Sequence, residues 1–195
     1  MKISFCSIAF RKESFSLEEI IPIIAEIGYD GIEIWGNHLS EDWQKLVEIK
    51  RTLDKYSLQV SMISPYFNFT SSPQEWEASL QATEKFIDYA YLLQSPLLRV
   101  FTGVAGSDQI SPELRKRCVE GLKKAAAYGE LKGIILALET HPCTLTDNIH
   151  STLQLLGEVA ADNLKINLDI YHFWEIYRDP VFVLQALSPH IVHIH

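Results

Sequence analysis

Leu138-Glu139-Thr140-His141-Pro142 is the stretch on which the reading of this chain turns. It closes an apolar run, Ile134 to Leu138, that reads as a β-strand; Asn167-Leu168-Asp169 and His193-Ile194-His195 close two more. Strands covered on both faces of a parallel sheet are almost continuously hydrophobic. Glu139, Asp169 and His195 break that rule at the same end of three successive strands. In a barrel of alternating strands and helices, that end carries the active site. Two carboxylates and an imidazole converging there make most of a divalent-metal site.

Outward from that stretch the pattern alternates. Strands are expected at Ile3–Ile8, Gly31–Trp35, Gln59–Ile63, Leu97–Phe101, Ile134–Glu139, Leu164–Leu168 and Ile191–His195. Helices are expected at Leu17–Ile27, closed by Gly28, and from Ser40-Glu41-Asp42 to about Tyr56. Further helices follow at Pro73–Leu93, after Ser111-Pro112-Glu113, at Ser151–Val159 and from Asp179-Pro180 to Leu187. Strict alternation implies a parallel sheet with right-handed crossovers, open or closed. Lys165, Asn167 and Asp169 share one strand face while Leu164, Ile166 and Leu168 share the other, which suits a barrel with a polar-bearing interior. No glycine-rich phosphate fingerprint follows strand one, which argues against a dinucleotide fold. The expectation is a single α/β domain over residues 1–195, a (β/α)8 TIM barrel cut short after strand seven. Ending inside an apolar strand is what a truncated or partial chain would show.

Composition bounds the function. The 195 residues suffice for one core and are 47% hydrophobic and 22% charged, with a net charge of -8. That charge disfavours nucleic acid as a partner, and no run is long enough to span a membrane. Cys6, Cys118 and Cys143 are odd in number and form no CxxC pair, so reduced thiols in a cytoplasm are expected. Asn68-Phe69-Thr70 matches a glycosylation sequon but is read as a plain surface loop.

Two oxygen ligands with one nitrogen suit Mn²⁺ or Mg²⁺, with Co²⁺ or Zn²⁺ admissible. Glu139 and His141, two apart, both point into the barrel mouth. Arg99 ends strand four at the same rim, where a guanidinium can clamp a carboxylate or phosphate, or pair with Glu33. His172 is read in a strand-to-helix loop within reach of substrate, and Trp35, His38 and Tyr66 are further rim positions. Glu33 is expected to play a supporting part, and Trp76, Phe86 and Tyr89 to pack the core.

Three runs carry a resemblance: Gly31-Ile32-Glu33-Ile34-Trp35-Gly36, Glu139-Thr140-His141-Pro142-Cys143-Thr144-Leu145-Thr146-Asp147 and Asn163-Leu164-Lys165-Ile166-Asn167-Leu168-Asp169. They resemble the xylose-isomerase-like sugar phosphate isomerase/epimerase superfamily. Within it the chain is most similar to the 3-dehydroshikimate dehydratases that make protocatechuate for catecholate siderophores. The opening Ser4 to Arg11, Ser151 to Val159 and His172-Phe173-Trp174-Glu175 fit that subgroup too. The resemblance implies a metal-dependent lyase acting through a metal-stabilised enediolate on a small-molecule substrate. A homo-oligomer is admissible for the full-length chain. It places metal ligands on Glu139, Asp169 and His195, the proton-transfer histidine on His141, and substrate contacts on Arg99, Tyr66 and His172. The chain departs from the family at Cys143, where Asn is expected, and has no counterpart of the strand-eight glutamate or of the lysine after the metal histidine.

Three readings compete. An isomerase or epimerase would place a second catalytic glutamate near the position of Leu145. An abasic-site endonuclease of the same fold would need more ligands and a basic surface. An inactive fragment is the third.

Overall fold

The computed structural model describes residues 2–195. Parallel pairing runs without a break through β1 (Ser4–Cys6), β2 (Gly31–Trp35), β3 (Gln59–Ser64), β4 (Leu97–Val100), β5 (Ile135–Glu139), β6 (Leu164–Leu168) and β7 (Ile191–Ile194), in that spatial order. The crossovers are α1 (Leu17–Ile27), α2 (Trp43–Lys55), α3 (Pro73–Leu93), α4 (Pro112–Lys132), α5 (Ile149–Val159), and the pair α6 (Ile170–Tyr177) and α7 (Pro180–Leu187). The sheet curls as a barrel does, bringing Glu33 on β2 to His195 after β7. Among the described residues β1 and β7 do not pair with each other. The result is a seven-stranded TIM-barrel arc.

Each helix boundary has a local cause. Ser16 and Glu19 form a capping box on α1, as do Ser72 and Glu75 on α3. Ser111 caps α4, with Pro112 in its first turn. Left-handed Gly28 and Gly133 end α1 and α4, a conformation that costs glycine least.

Two apolar layers hold the arc. The larger lies between sheet and helices and includes Ile32, Ile34, Leu98, Val100, Leu136, Leu138, Ile166 and Leu168. The smaller lies inside the curl and consists of Met62, Leu97 and Ala137 with Ile135 against them. Alternate residues of each strand therefore serve different layers, and the interior positions nearest the C-terminal ends are polar: Glu33, Arg99, Glu139 and Asn167, all buried. Trp76 and Tyr89 are core residues, and Phe86 packs on that core.

Several expectations need correction. The first strand stops at Cys6, and Ser7–Phe10 form a 3-10 turn instead of continuing it. Strand four ends at Val100 rather than Phe101. His172 sits in the first turn of α6, not in a loop, because the Asp169 carboxylate accepts from the amides of Tyr171 and His172 and starts a helix there. The Asn68-Phe69-Thr70 segment is no plain surface loop. Phe69 is fully buried, and Asn68 Oδ1 accepts from both the amide and the hydroxyl of Thr70.

Candidate metal and catalytic centre

The register of three strands builds the site. Glu139 ends β5 opposite Asn167 of β6, and Leu168 lies opposite Ile194 of β7, so Asp169 and His195 follow at one level. The ladder continues past the strands: His195 N–H donates to Leu168 O at 2.9 Å, and Thr140 N–H to Asn167 O at 3.1 Å. Thr140 Oγ1 accepts from the Asp169 amide at 2.9 Å, pinning the carboxylate's backbone. Ligand atoms of Glu139, Asp169 and His195 lie within 4.8 Å of one another.

The electrostatics of this cluster are unbalanced in a telling way. Glu139 is 5% exposed, and its Oε1 lies 3.1 Å from His195 Nδ1. Its Oε2 is 3.0 Å from Arg99 Nη1, a charge contact too poorly aligned for a hydrogen bond, so Oε2 is a buried oxygen without a hydrogen-bond partner. Such an atom is costly to bury. A divalent cation between Glu139, Asp169 and His195 would satisfy it, and two oxygens with one nitrogen suit a hard or borderline ion. The donor set fits a metal.

His195 lies between two carboxylates, with Nδ1 on Glu139 and Nε2 2.8 Å from Glu33 Oε2. Burial works to lower its pKa, but the hydrogen bonds to Glu139 and Glu33 outweigh it and push the value up to about 10. For Glu33 burial works in the raising direction, and the hydrogen bonds from His193, His195 and Ser64 overcome it and hold the carboxyl well below the usual range. Arg99 therefore does not pair with Glu33 as expected. Its charge contact is with Glu139, and its Nη2 donates to the carbonyls of Ser64 and Pro65, both at 3.2 Å. Its guanidinium carbon sits 4.5 Å from the Tyr66 ring centre and 4.9 Å from that of Phe101. Its buried Nε has no hydrogen-bond partner.

A cavity of about 280 Å³ opens beside these groups, lined among others by Tyr66, Arg99, Glu139, His141, His172 and His195. That is close to the lower end of small-molecule pockets, roughly 300 Å³. His141 Nδ1 lies 2.8 Å from Pro142 O. A carbonyl only accepts, so Nδ1 carries a proton, and in the neutral ring Nε2 then keeps its lone pair. The His172 ring is 4.5 Å from that of His141, and its Nδ1 is buried without a partner. Leu145 is fully buried and does not line the cavity. Glu33, expected to play a supporting part, has His195 as its partner, a pairing no local motif announces because β2 and β7 are far apart in sequence. Burial pushes the Cys6 thiol, at the cavity wall, up to about 12, with the charge of Glu33 adding to it.

A family model described as xylose isomerase-like TIM barrel matches residues 21–195. A 3-dehydroshikimate dehydratase of Bacillus anthracis is 36% identical, aligned over 100% of this chain and 71% of its own length. The crystal structure of the probable 3-DHS dehydratase AsbF, involved in petrobactin synthesis in the same organism, superposes with a TM-score of 0.90 at 36% identity, covering 100% of this chain and 72% of that one. A D-allulose 3-epimerase from Methylomonas sp. superposes with a TM-score of 0.83 at 22% identity, over 100% of this chain and 72% of that one; this likeness is one of fold. No helix of the described residues is long and apolar enough to cross a membrane.

Proposed function

Because the chain belongs to the xylose isomerase-like TIM-barrel family, we propose that it is a divalent-metal-dependent lyase that dehydrates 3-dehydroshikimate to protocatechuate. The observation that carries this reading is His141: a histidine at the cavity wall whose Nδ1 proton is spent on Pro142 O, leaving Nε2 as a base. The 36% identity to a dehydratase of that name supports the substrate. Glu139, Asp169 and His195 would hold the cation, with Mn²⁺ or Mg²⁺ preferred and Co²⁺ or Zn²⁺ accepted. Bound there, it supplies Lewis-acid stabilisation of negative charge developing on the substrate oxygens.

The chain's own residues supply the rest. His141 Nε2 takes the proton from the carbon next to the ketone. The electron pair of that C–H bond becomes a ring double bond, the hydroxyl on the following carbon departs, and with a proton it leaves as water. A further proton then leaves the remaining ring CH2 and one is taken up by the former ketone oxygen, and the aromatic ring so formed makes the sequence irreversible. Arg99 lends positive charge to the substrate carboxylate, and Tyr66 and His172 close the mouth around the ring. Free, unpaired thiols are in keeping with a cytoplasmic setting.

The test is an absorbance assay for protocatechuate with two variants compared side by side. His141→Ala is expected to keep its Mn²⁺ and lose about 10²- to 10⁴-fold in turnover, the usual worth of a general base. Glu139→Ala is expected to lose the metal itself. Near-wild-type dehydration by His141→Ala refutes the base. Epimerisation of a ketose in place of dehydration moves the assignment to the epimerases.

A further inference from the structure

Glu33 stands outside the ligand set just assigned, yet it is 2% exposed. A buried carboxyl persists only where its partners justify it. Ser64 Oγ donates to Glu33 Oε1, and Glu33 Oε2 lies 2.8 Å from His195 Nε2 and 3.5 Å from His193 Nε2. The ring of His195 thus spans from Glu33 at Nε2 to Glu139 at Nδ1. A neutral imidazole carries one proton, and the nitrogen that keeps it cannot bind a metal.

We propose that Glu33 is the positioning residue of the metal centre: it holds the His195 proton on Nε2 and so leaves Nδ1, the nitrogen facing Glu139, as the ligand. This rests on reading Glu139, Asp169 and His195 as the metal ligands. Glu33 also fixes where the ring points. β2 carries the carboxylate and the residue after β7 the imidazole, and among the described residues no strand pairing joins β2 to β7. The side-chain bond is therefore what sets the ring's aim from the far side of the curl. Ser64, on the neighbouring strand β3, holds the carboxylate's other oxygen, so the acceptor itself cannot swing. Carboxylates that receive the second N–H of a ligating histidine are worth about 10- to 100-fold in metal affinity.

Glu33→Gln keeps the size and an acceptor oxygen; Glu33→Met keeps the size and removes the acceptor. In Mn²⁺ titrations against a fluorescent chelator, Gln should bind within about threefold of the parent chain, and Met about 10- to 100-fold more weakly. A second readout needs no variant. On the Zn²⁺-loaded parent chain, ¹H–¹⁵N spectra of labelled histidine should show His195 protonated at Nε2 and metal-bound at Nδ1. Equal affinity of the two variants overturns the proposal, as does metal found at Nε2. Two cations per chain would also overturn it, since Glu33, His193 and His195 would then form a site of their own. If the parent chain binds no Mn²⁺ or Zn²⁺, the ligand reading falls first and this one with it; loss confined to the Glu33 arms leaves the ligands standing.

Discussion

At the scale of the residue, His195 gives the metal-free protein a characteristic pH dependence. Its pKa stands at about 10 against an ordinary 6.5, so the stabilisation it confers is fully present below pH 6.5 and is lost as pH rises toward 10. Glu33 has the opposite sign. Its carboxyl is held below the ordinary 4.5, so its stabilisation is present above that pH and is lost as pH falls beneath it. Thermal melts without metal should therefore peak between about pH 5 and 6.5, and His195→Gln should flatten the alkaline limb. A parent melting point unchanged from pH 6.5 to 9.5 would contradict the two-carboxylate bridge. The convergence of Glu139, Asp169 and His195 was legible residue by residue, because each interrupts an apolar run at a strand's end. Cys143, where the family resemblance implies Asn, has φ 58°, a left-handed conformation that Asn tolerates better than most side chains; nothing in the structure explains the Cys. The pairing of Glu33 with His195 was not legible, since it joins positions 162 apart through the curvature of the sheet.

At the scale of the element, α6 is where sequence periodicity failed. Ile170–Tyr177 is only eight residues long and rich in aromatic side chains, too short for a 3.6-residue pattern to declare itself. Its start depends on Asp169, which accepts from the amides of Tyr171 at 3.0 Å and His172 at 3.3 Å through Oδ1. The Oδ2 of the same carboxylate lies 3.5 Å from His172 Nε2. One side chain thus caps a helix with one oxygen and offers the other to the centre. The two duties are separable by substitution. Asp169→Asn retains a good cap and should leave the melting point close to the parent's, while metal affinity falls sharply with the lost charge. Asp169→Ala loses both, and should cost a further ~1 kcal/mol of stability by urea unfolding. Equal stability of the two variants would show that the cap contributes nothing. The other helices were legible because their caps are written locally, as Ser72 with Glu75 and Ser111 with Pro112 show.

At the scale of the whole molecule, the sheet has two edges among the described residues, on β1 and β7. Along β7 the outward side chains Val192 and Ile194 are 37% and 55% exposed, and on α7 Val181 and Phe182 are exposed as well. Unpaired edges beside exposed apolar groups invite association. Light scattering on this chain should show mass rising with concentration, more steeply with added salt as the net charge of -8 is screened. A monomer at all concentrations would show that the edges are blunted by their twist. The barrel order was legible from strict alternation, and the choice between open sheet and barrel from the polar interior faces of β4, β6 and β7. The bond between Glu33 and His195 also carries a kinetic consequence. Its partners are separated by 162 residues, whereas each neighbouring strand pair closes a far shorter loop. Closing the longest loop costs the most chain entropy, so this contact forms after the sheet has zipped from strand to strand. Interactions absent from the transition state change how fast a protein comes apart and leave how fast it assembles alone. In a denaturant chevron, Glu33→Met should lift the unfolding limb and leave the folding limb in place, making this buried carboxylate a latch on the lifetime of the folded state.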